Sequence, residues 1–377
     1  MRVLITTGIF PPDIGGPATQ IEYLASGLSR RGFSVSVLTY GAPEKKVRPF
    51  LLFAVSKVWP AGLRHFLYFF KLFFLARRSD LIYTTDLYSP GYYSMLAAKF
   101  WRKKLVVRFA GDSAWETAQN RGETQDDIVS FQEKKYSAAI EKMKERRKKI
   151  MLAADAVIAV SEFMKNLAVK IGVASGKIKV VYNSIDFLPS PPAWHDPQEP
   201  VLVFSGRLTP WKGVEMLVRI LDKIKEKYPE IIFEILGGGS EKEKLQKLSR
   251  ELGLEKNINF QGRVSEEESH RIFARSSVFV LNTNYEGLPH SVLNAFRVGL
   301  PVITTPVGGN PEVVQSGVNG LLVPYNDERA WEEAIFKMLE DNFLREKFSI
   351  EGKRTLEKFK WENVLQKTSE LFKSLTE

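Results

Sequence analysis

The chain of 377 residues has no cysteine. Disulfides, thiolate metal sites and cysteine nucleophiles are thereby excluded, and a reducing compartment fits. No stretch of about 18 uncharged apolar residues occurs, so no membrane-spanning helix is expected. Met1 to Phe10 lack the long apolar core of a signal peptide and read as a first strand. Gly237-Gly238-Gly239-Ser240 is neither Gly-x-Gly-x-x-Gly nor a P-loop, and no acidic Rossmann partner follows, which argues against a dehydrogenase. No RNA-recognition motif accompanies the basic run Lys142–Lys149, and no nucleic-acid partner is expected. Acidic charge is scarce in the first half alone. Residues 1–185 carry 29 Lys and Arg against 15 Asp and Glu, a net +14, whereas residues 186–377 carry 25 against 29, a net −4. Such asymmetry points to an anionic surface or substrate on the first half.

What is present fits a two-domain α/β protein. Hydrophobic content of 44% and charged content of 26% are globular values, and the length suffices for two cores. Residues 1–185 read as a first domain and 201–358 as a second. A linker over 186–200 holds Pro189, Pro191, Pro192, Pro197 and Pro200, and residues 359–377 include a last helix, Val364 to Leu375. Apolar runs such as Arg2–Thr7, Ser34–Thr39, Leu105–Phe109 and Val201–Ser205 read as buried parallel strands.

The most constrained stretch runs from Val278 to Thr305. A buried strand, Val278–Leu281, leads into a loop holding Glu286, Gly287, Leu288 and Pro289. A short helix starts near Ser291 and stops at Gly299, and a second strand follows over Pro301–Thr304. In such a βαβ unit ligands sit at the carboxyl ends of the strands, over a helix N-terminus that attracts anions. A carboxylate there, Glu286, suits sugar hydroxyls, which donate to it.

Other loops point the same way. After the strand Val201–Ser205, Gly206-Arg207-Leu208-Thr209-Pro210-Trp211-Lys212-Gly213 sets Arg207 and Lys212 where they could neutralise a leaving diphosphate; two ordinary surface cations are the alternative. Gly15 and Gly16 lie in a Gly- and Pro-rich loop after the first strand, where backbone could approach a ligand or simply turn. Asp112 lies at the carboxyl end of Leu105–Phe109, as a catalytic group or as the N-cap of the next helix. Residues 121–150 read as a solvated polar helix. Arg64–Arg78 is aromatic nearly all round with basic residues between, which suits either a buried crossover helix or one lying in a membrane interface.

Together these motifs resemble family-4 glycosyltransferases of the GT-B fold, in order and over nearly the whole chain. The family carries Glu, seven residues, Glu, then Ala-x-x-x-Gly-x-Pro-Val; here Glu286, Asn294, Ala295, Gly299, Pro301 and Val302 stand in those places. Gly206-Arg207-Leu208 with Lys212-Gly213 matches the family's Gly-Arg-Leu…Lys-Gly, and Gly308-Gly309-Asn310-Pro311-Glu312 matches Gly-Gly-x-x-Glu. Two positions depart: Asn294 replaces the ribose-binding Glu, and Ala110 stands where the family has His, leaving Asp112 and Glu116 as substitutes. The resemblance implies two Rossmann-like doubly wound parallel-sheet domains facing a cleft, with a C-terminal helix crossing back to the first. It implies retaining transfer from a nucleotide-diphospho-sugar; the net +14 of the first half and the aromatic segment point to a glycan or lipid-linked acceptor, in cell-envelope polysaccharide or glycoconjugate synthesis. Arg207, Lys212, Glu286 and Asp112 are the expected catalytic set. Gly15, Gly16, Gly206, Arg263, Val264, Gly287, Leu288, Pro289, His290, Ser291 and Asn294 are the expected donor contacts. No cofactor is expected, and no metal, since no Asp-x-Asp motif occurs. A cytoplasmic location, peripheral on an anionic membrane, fits the basic half and the aromatic segment. The two departures keep open a sugar-nucleotide-binding protein without transfer; a GT-B epimerase fits the Gly-Arg-Leu…Lys-Gly motif less well.

Overall fold

Strands such as β1 (Arg2–Thr6) are buried at nearly every position, which requires helices on both faces of a parallel sheet. The computed structural model, which describes residues 1–12, 16–43, 46–185 and 191–377, builds two such sheets. One unit comprises Met1–Trp115, Val129–Phe187 and Trp361–Glu377; the other comprises Glu116–Ile128 and Leu188–Lys360.

From β1 the chain runs through α1 (Gly16–Arg30), β2 (Ser34–Tyr40), β3 (Leu51–Val55), α2 (Ala61–Arg77), β4 (Leu81–Thr84), α3 (Ser89–Trp101) and β5 (Lys104–Phe109). Then come α4 (Ser113–Asn120), α5 (Ala138–Ala153), β6 (Ala156–Ala159), α6 (Glu162–Ile171) and β7 (Ile178–Val180). The sheet order is β3-β2-β1-β4-β5-β6-β7, all parallel, so the direction of winding reverses between β1 and β4. Gly16 opens α1 rather than lying in the loop, because a proline in the first helical turn costs no hydrogen bond. Gly15 lies outside the described residues.

Two segments differ from their sequence reading. Of 121–150 only α5 is α-helical, apart from a short 3-10 turn at Ser130–Gln132. Asp126 donates its N–H to the Thr124 hydroxyl at 3.0 Å, a local side-chain bond that competes with a helix. Nor is α5 fully solvated, since Ile140, Arg147, Ile150 and Met151 are buried. On α2 only Tyr68, Leu72 and Ala76 are buried, while Leu63, Phe66, Phe70 and Phe74 remain exposed. Tyr68 anchors the helix by donating to the Leu38 carbonyl at 3.0 Å.

The second unit continues with β8 (Val201–Ser205), α7 (Val214–Lys227), β9 (Ile232–Leu236), α8 (Lys242–Glu251), β10 (Ile258–Gly262), α9 (Glu266–Ala274) and β11 (Val278–Leu281). It ends with α10 (His290–Val298), β12 (Val302–Thr304), β13 (Leu321–Leu322), α11 (Glu328–Glu340) and α12 (Asn342–Thr355). The order β10-β9-β8-β11-β12-β13 is again all parallel and reverses between β8 and β11.

The last helix, α13 (Trp361–Thr376), belongs to the first unit. Val364, Leu365 and Phe372 join Leu24, Val37 and Tyr83 in one core. A Cβ on Gly27 of α1 would stand 2.4 Å from Leu365 Cδ2, so glycine there permits the close approach of the two helices. Arg31 at the end of α1 pairs with Glu362 and donates to Ser369 Oγ at 3.1 Å.

Candidate active site

Open parallel sheets bind ligands outside the carboxyl ends of their strands where the winding reverses. In the second unit that crevice lies between β8 and β11, and the loops leaving these two strands are stitched together. Asn284 N–H donates to the Trp211 carbonyl at 2.8 Å, and Thr283 Oγ1 donates to the same oxygen at 3.2 Å. Asn282 Nδ2 donates to the Gly213 carbonyl at 3.0 Å and to Asn326 Oδ1 at 2.7 Å. Gly213 takes φ +53°, and a Cβ there would meet Asn282 Nδ2 at 2.4 Å, so neither the turn nor the contact admits a side chain.

This stitching sets Lys212 Nζ on Glu286 Oε1 as an ion pair, both side chains nearly nine-tenths buried. Both residues were expected at the site; their direct pairing was not. Glu286 is held from behind by Gly308 and Gly309. Gly309 N–H donates to the Glu286 carbonyl at 2.8 Å, and a Cβ on Gly308 would stand 2.2 Å from that oxygen. The pair Gly308-Gly309 is therefore backbone packed on backbone. Thr305 Oγ1 donates to the Thr283 carbonyl at 2.6 Å, and Asn310 Nδ2 donates to the Thr305 carbonyl at 3.0 Å, locking the loop after β12 to the same place.

Arg207 behaves differently. Its guanidinium is mostly exposed, lies 5.7 Å from the Trp211 ring centroid and donates to Glu116 Oε2 at 2.9 Å. Its loop is backed by the glycine run after β9: Leu208 N–H donates to the Gly238 carbonyl at 3.0 Å, and a Cβ on Gly237 would fall 1.9 Å from the Gly206 carbonyl oxygen. A Cβ on Gly239 would likewise fall 2.2 Å from the Leu208 carbonyl oxygen, so close backbone approach explains Gly237 and Gly239, while Gly238 faces open space. A cavity of about 370 Å³ in the second unit is lined by Thr209, Trp211, Asn284 and Asn326, with Gln119 and Gln125 from the 116–128 segment.

Beyond Glu286, buried Gly287, Leu288 and Pro289 lead into α10, whose first turn holds His290 and Ser291. Leu293 N–H closes on the Pro289 carbonyl at 3.1 Å, so the N–H groups before it have no acceptor within the helix. Gly299 ends the helix at φ +97°, as its position suggested. Asn294 Oδ1 lies 3.5 Å from Nε2 of His270, a buried residue of α9. Burial pushes the His270 pKa below the ordinary imidazole value, partly offset by the Asn294 contact. An amide suits a neutral imidazole, whereas a carboxylate would draw a proton onto it. Exposed Arg263 and half-buried Val264 follow β10 at the sheet edge, two strands from β8.

In the first unit Asp112 is fully buried. Its Oδ1 accepts from Ala114 N–H at 3.1 Å; its Oδ2 accepts from Gln132 Nε2 at 3.0 Å and pairs with Arg147 Nη1. Arg147 Nη2 donates to Gln132 Oε1 at 2.9 Å. The sequence reading missed Arg147. Its signal was there: with Ile140, Ile150 and Met151 it falls on one helical stripe, an arginine at a core position. Exposed Ala110 stands before Asp112, and α4, which carries Glu116, starts just after it.

The family description "Glycosyltransferase Family 4" matches residues 14–187, and "Glycosyl transferases group 1" matches residues 191–355. The glycosyltransferase MJ1069 of Methanocaldococcus jannaschii is 25% identical over 401 residues, covering 100% of this chain and 99% of that protein. A phosphatidylinositol N-acetylglucosaminyltransferase polypeptide of Arabidopsis thaliana is 24% identical over 348 residues, covering 89% of this chain and 74% of that protein. The fold is also that of Anabaena Alr3699/HepE, solved with UDP and glucose: TM-score 0.79 at 19% identity, over 99% of this chain and 100% of that one. With two doubly wound sheets, each winding reversed at one crevice, and the two family descriptions adjoining along its length, this chain belongs to the family-4 glycosyltransferases and has their GT-B fold.

Proposed function

We propose that the protein transfers a sugar, with retention at the anomeric carbon, from a nucleotide-diphospho-sugar to a hydroxyl of a lipid-linked or envelope glycan acceptor. The observation that carries this reading is the Lys212–Glu286 pair in the β8/β11 crevice, with Arg207 exposed nearby. As the bond from the anomeric carbon to the diphosphate oxygen breaks, negative charge grows on the leaving group. Lys212 as a point charge, Arg207 as a fork and the N-terminus of α10 stabilise it. The acceptor oxygen bonds to the anomeric carbon, and its proton passes to the departing phosphate. A diphosphate that draws Lys212 toward itself releases Glu286 to accept hydroxyl donors from the sugar. This needs no metal, since the cations of the chain supply the charge.

In this reading Gly16, Gly206, Arg263, Val264 and Gly287 to Ser291 contact the donor, with Gly15 beside them in sequence. Asn294 binds a ribose hydroxyl, which an amide can do as donor or acceptor. Asp112 acts by positioning: it holds the start of α4, on which Glu116 meets Arg207. The UDP in the HepE structure supports a nucleoside-diphosphate donor, and the phosphatidylinositol-directed Arabidopsis relative supports an acceptor with a lipid. The test is a melting-temperature screen with UDP, GDP, ADP and their common sugars. At 100 times Kd a ligand adds about 2.7 kcal/mol, a shift of several degrees. One base should shift the melting, and no shift with any of them would sink the reading. A protein that binds without transferring, the reading that Ala110 and Asn294 favour, would show the shift and release no diphosphate with any acceptor.

A peripheral place on an anionic membrane is supported by the first unit's surface. Phe66, Phe70 and Phe74 of α2 and Phe100 of α3 are exposed, with Lys71, Arg77, Arg78, Lys99 and Arg102 exposed around them. No described helix is long and apolar enough to cross a membrane. Aromatic groups inserted at headgroup level, with cations toward anionic lipid, fit this surface. Replacing Phe66, Phe70 and Phe74 by serine is expected to cut sedimentation with phosphatidylglycerol vesicles about tenfold or more. Pure phosphatidylcholine vesicles should hold the parent chain weakly; equal binding of variant and parent would refute the assignment.

A further inference from the structure

Each sheet of this chain has one point where the winding reverses, and the β8/β11 crevice holds the Lys212–Glu286 pair. The other lies between β1 and β4. Gly8 follows β1, Tyr40 ends β2 and Asp86 follows β4, so three strand ends meet there. A Cβ on Gly8 would stand 2.8 Å from Asp86 Oδ2; glycine is what leaves that oxygen its space.

Asp86 is set up unlike a structural carboxylate. Asp112 has Arg147, Gln132 and a backbone N–H on its two oxygens. Asp86 Oδ1 accepts only the Tyr88 N–H, at 2.5 Å, and among the described residues no group donates to Oδ2 and no cation pairs with the carboxyl. The residue is nevertheless half-buried, and burial pushes its pKa up to about 6. Tyr40 and Tyr68 face its charge. Tyr68 is committed to the Leu38 and Thr7 carbonyls, and the Tyr40 hydroxyl meets His65 Nδ1 at 3.0 Å and bonds the Ser89 side chain, with the Arg64 guanidinium 5.6 Å from the Tyr40 ring centroid. Burial, and then the neighbouring Arg64 charge, push the His65 pKa below the ordinary imidazole value. Tyr93 of α3 lies 6.3 Å from the His65 ring, and Arg146 of α5 covers the Tyr92 ring at 5.2 Å.

We propose that Asp86, with Tyr40 facing it, forms a subsite of the first unit that binds a hydroxyl of the acceptor, a sugar or polyol. The proposal rests on the transferase reading above. A carboxylate to whose second oxygen no described group donates accepts a hydrogen bond from a hydroxyl and repels an anion, so the ligand here is the neutral hydroxylated part of the acceptor rather than its phosphate.

The test uses the full chain and the donor found by the melting screen. Diphosphate release is measured with water alone, glycerol, myo-inositol and the methyl α- and β-glycosides of glucose, mannose and galactose. Asp86→Asn keeps the shape and the Tyr88 contact. It is expected to lower kcat/KM for the hydroxyl compound about tenfold or more, while the donor-induced melting shift stays as in the parent. The carboxylate form fills in as pH rises through about 6, so parent turnover climbs over that range and the Asp86→Asn profile lacks that limb. Gly8→Ala, which fills the space at Oδ2, should weaken the same parameter. Unchanged acceptor kinetics in both variants overturn the inference, as does donor binding without release on any of these compounds. Absence of donor binding overturns instead the transferase reading beneath it.

Discussion

Replacing Arg207 and Lys212 together by alanine is expected to lower the transfer rate by about a thousandfold or more. Removal of a single group that stabilises developing charge costs about a hundredfold to a thousandfold, and both cations of the β8 loop would be gone. The two contribute differently to folding. Arg207 is mostly exposed, and its contact with Glu116 is a surface pair of the kind worth about 0–1 kcal/mol, so Arg207→Ala should melt like the parent. Lys212 is nearly buried on Glu286, and Lys212→Ala leaves a carboxylate without its partner. Combining Lys212→Met with Glu286→Gln removes both charges and should recover melting without recovering rate. Steady-state release of nucleoside diphosphate, with circular dichroism melting on each variant, checks this. A folded double alanine variant with parental rate would remove both residues from the mechanism.

The second large effect falls on stability. Arg147→Met strands the Asp112 carboxyl in a fully buried place, and breaking a buried pair in this way costs about 3–5 kcal/mol. Urea unfolding followed by circular dichroism should show the loss in the transition of the first unit. Adding Asp112→Asn to Arg147→Met removes the stranded charge, so the double variant should be more stable than Arg147→Met alone. A loss below about 1 kcal/mol in the single variant would mean that the pair does not hold α4 and α5 together.

Much of the architecture was legible because strands buried on both faces must be apolar throughout. Val278–Leu281 and Val201–Ser205 could hardly be anything else once flanked by glycine-containing loops. Gly299 was legible as a helix stop because its φ of +97° is open to glycine at no steric cost. Asp112 could be read as a helix cap, and it is one, from the local rule that short polar side chains hold the first N–H groups. The extent of α5 was not legible, because polar sequence fits a solvated helix and a loop equally well.

By itself the sequence determined the apolar runs, the turn residues and the stock of charges, all of which depend on neighbours a few residues away. Only the tertiary structure decided the partners. Lys212 meets Glu286 across 74 positions and Arg147 meets Asp112 across 35. Gly309 bonds the Glu286 backbone, and Gly8 makes room for Asp86. These encounters follow from the order of strands in the two sheets, which brings the end of β8 beside that of β11 and the end of β1 beside that of β4. That order is selected by packing helices on both faces at once, a global condition that no local spacing of residues expresses.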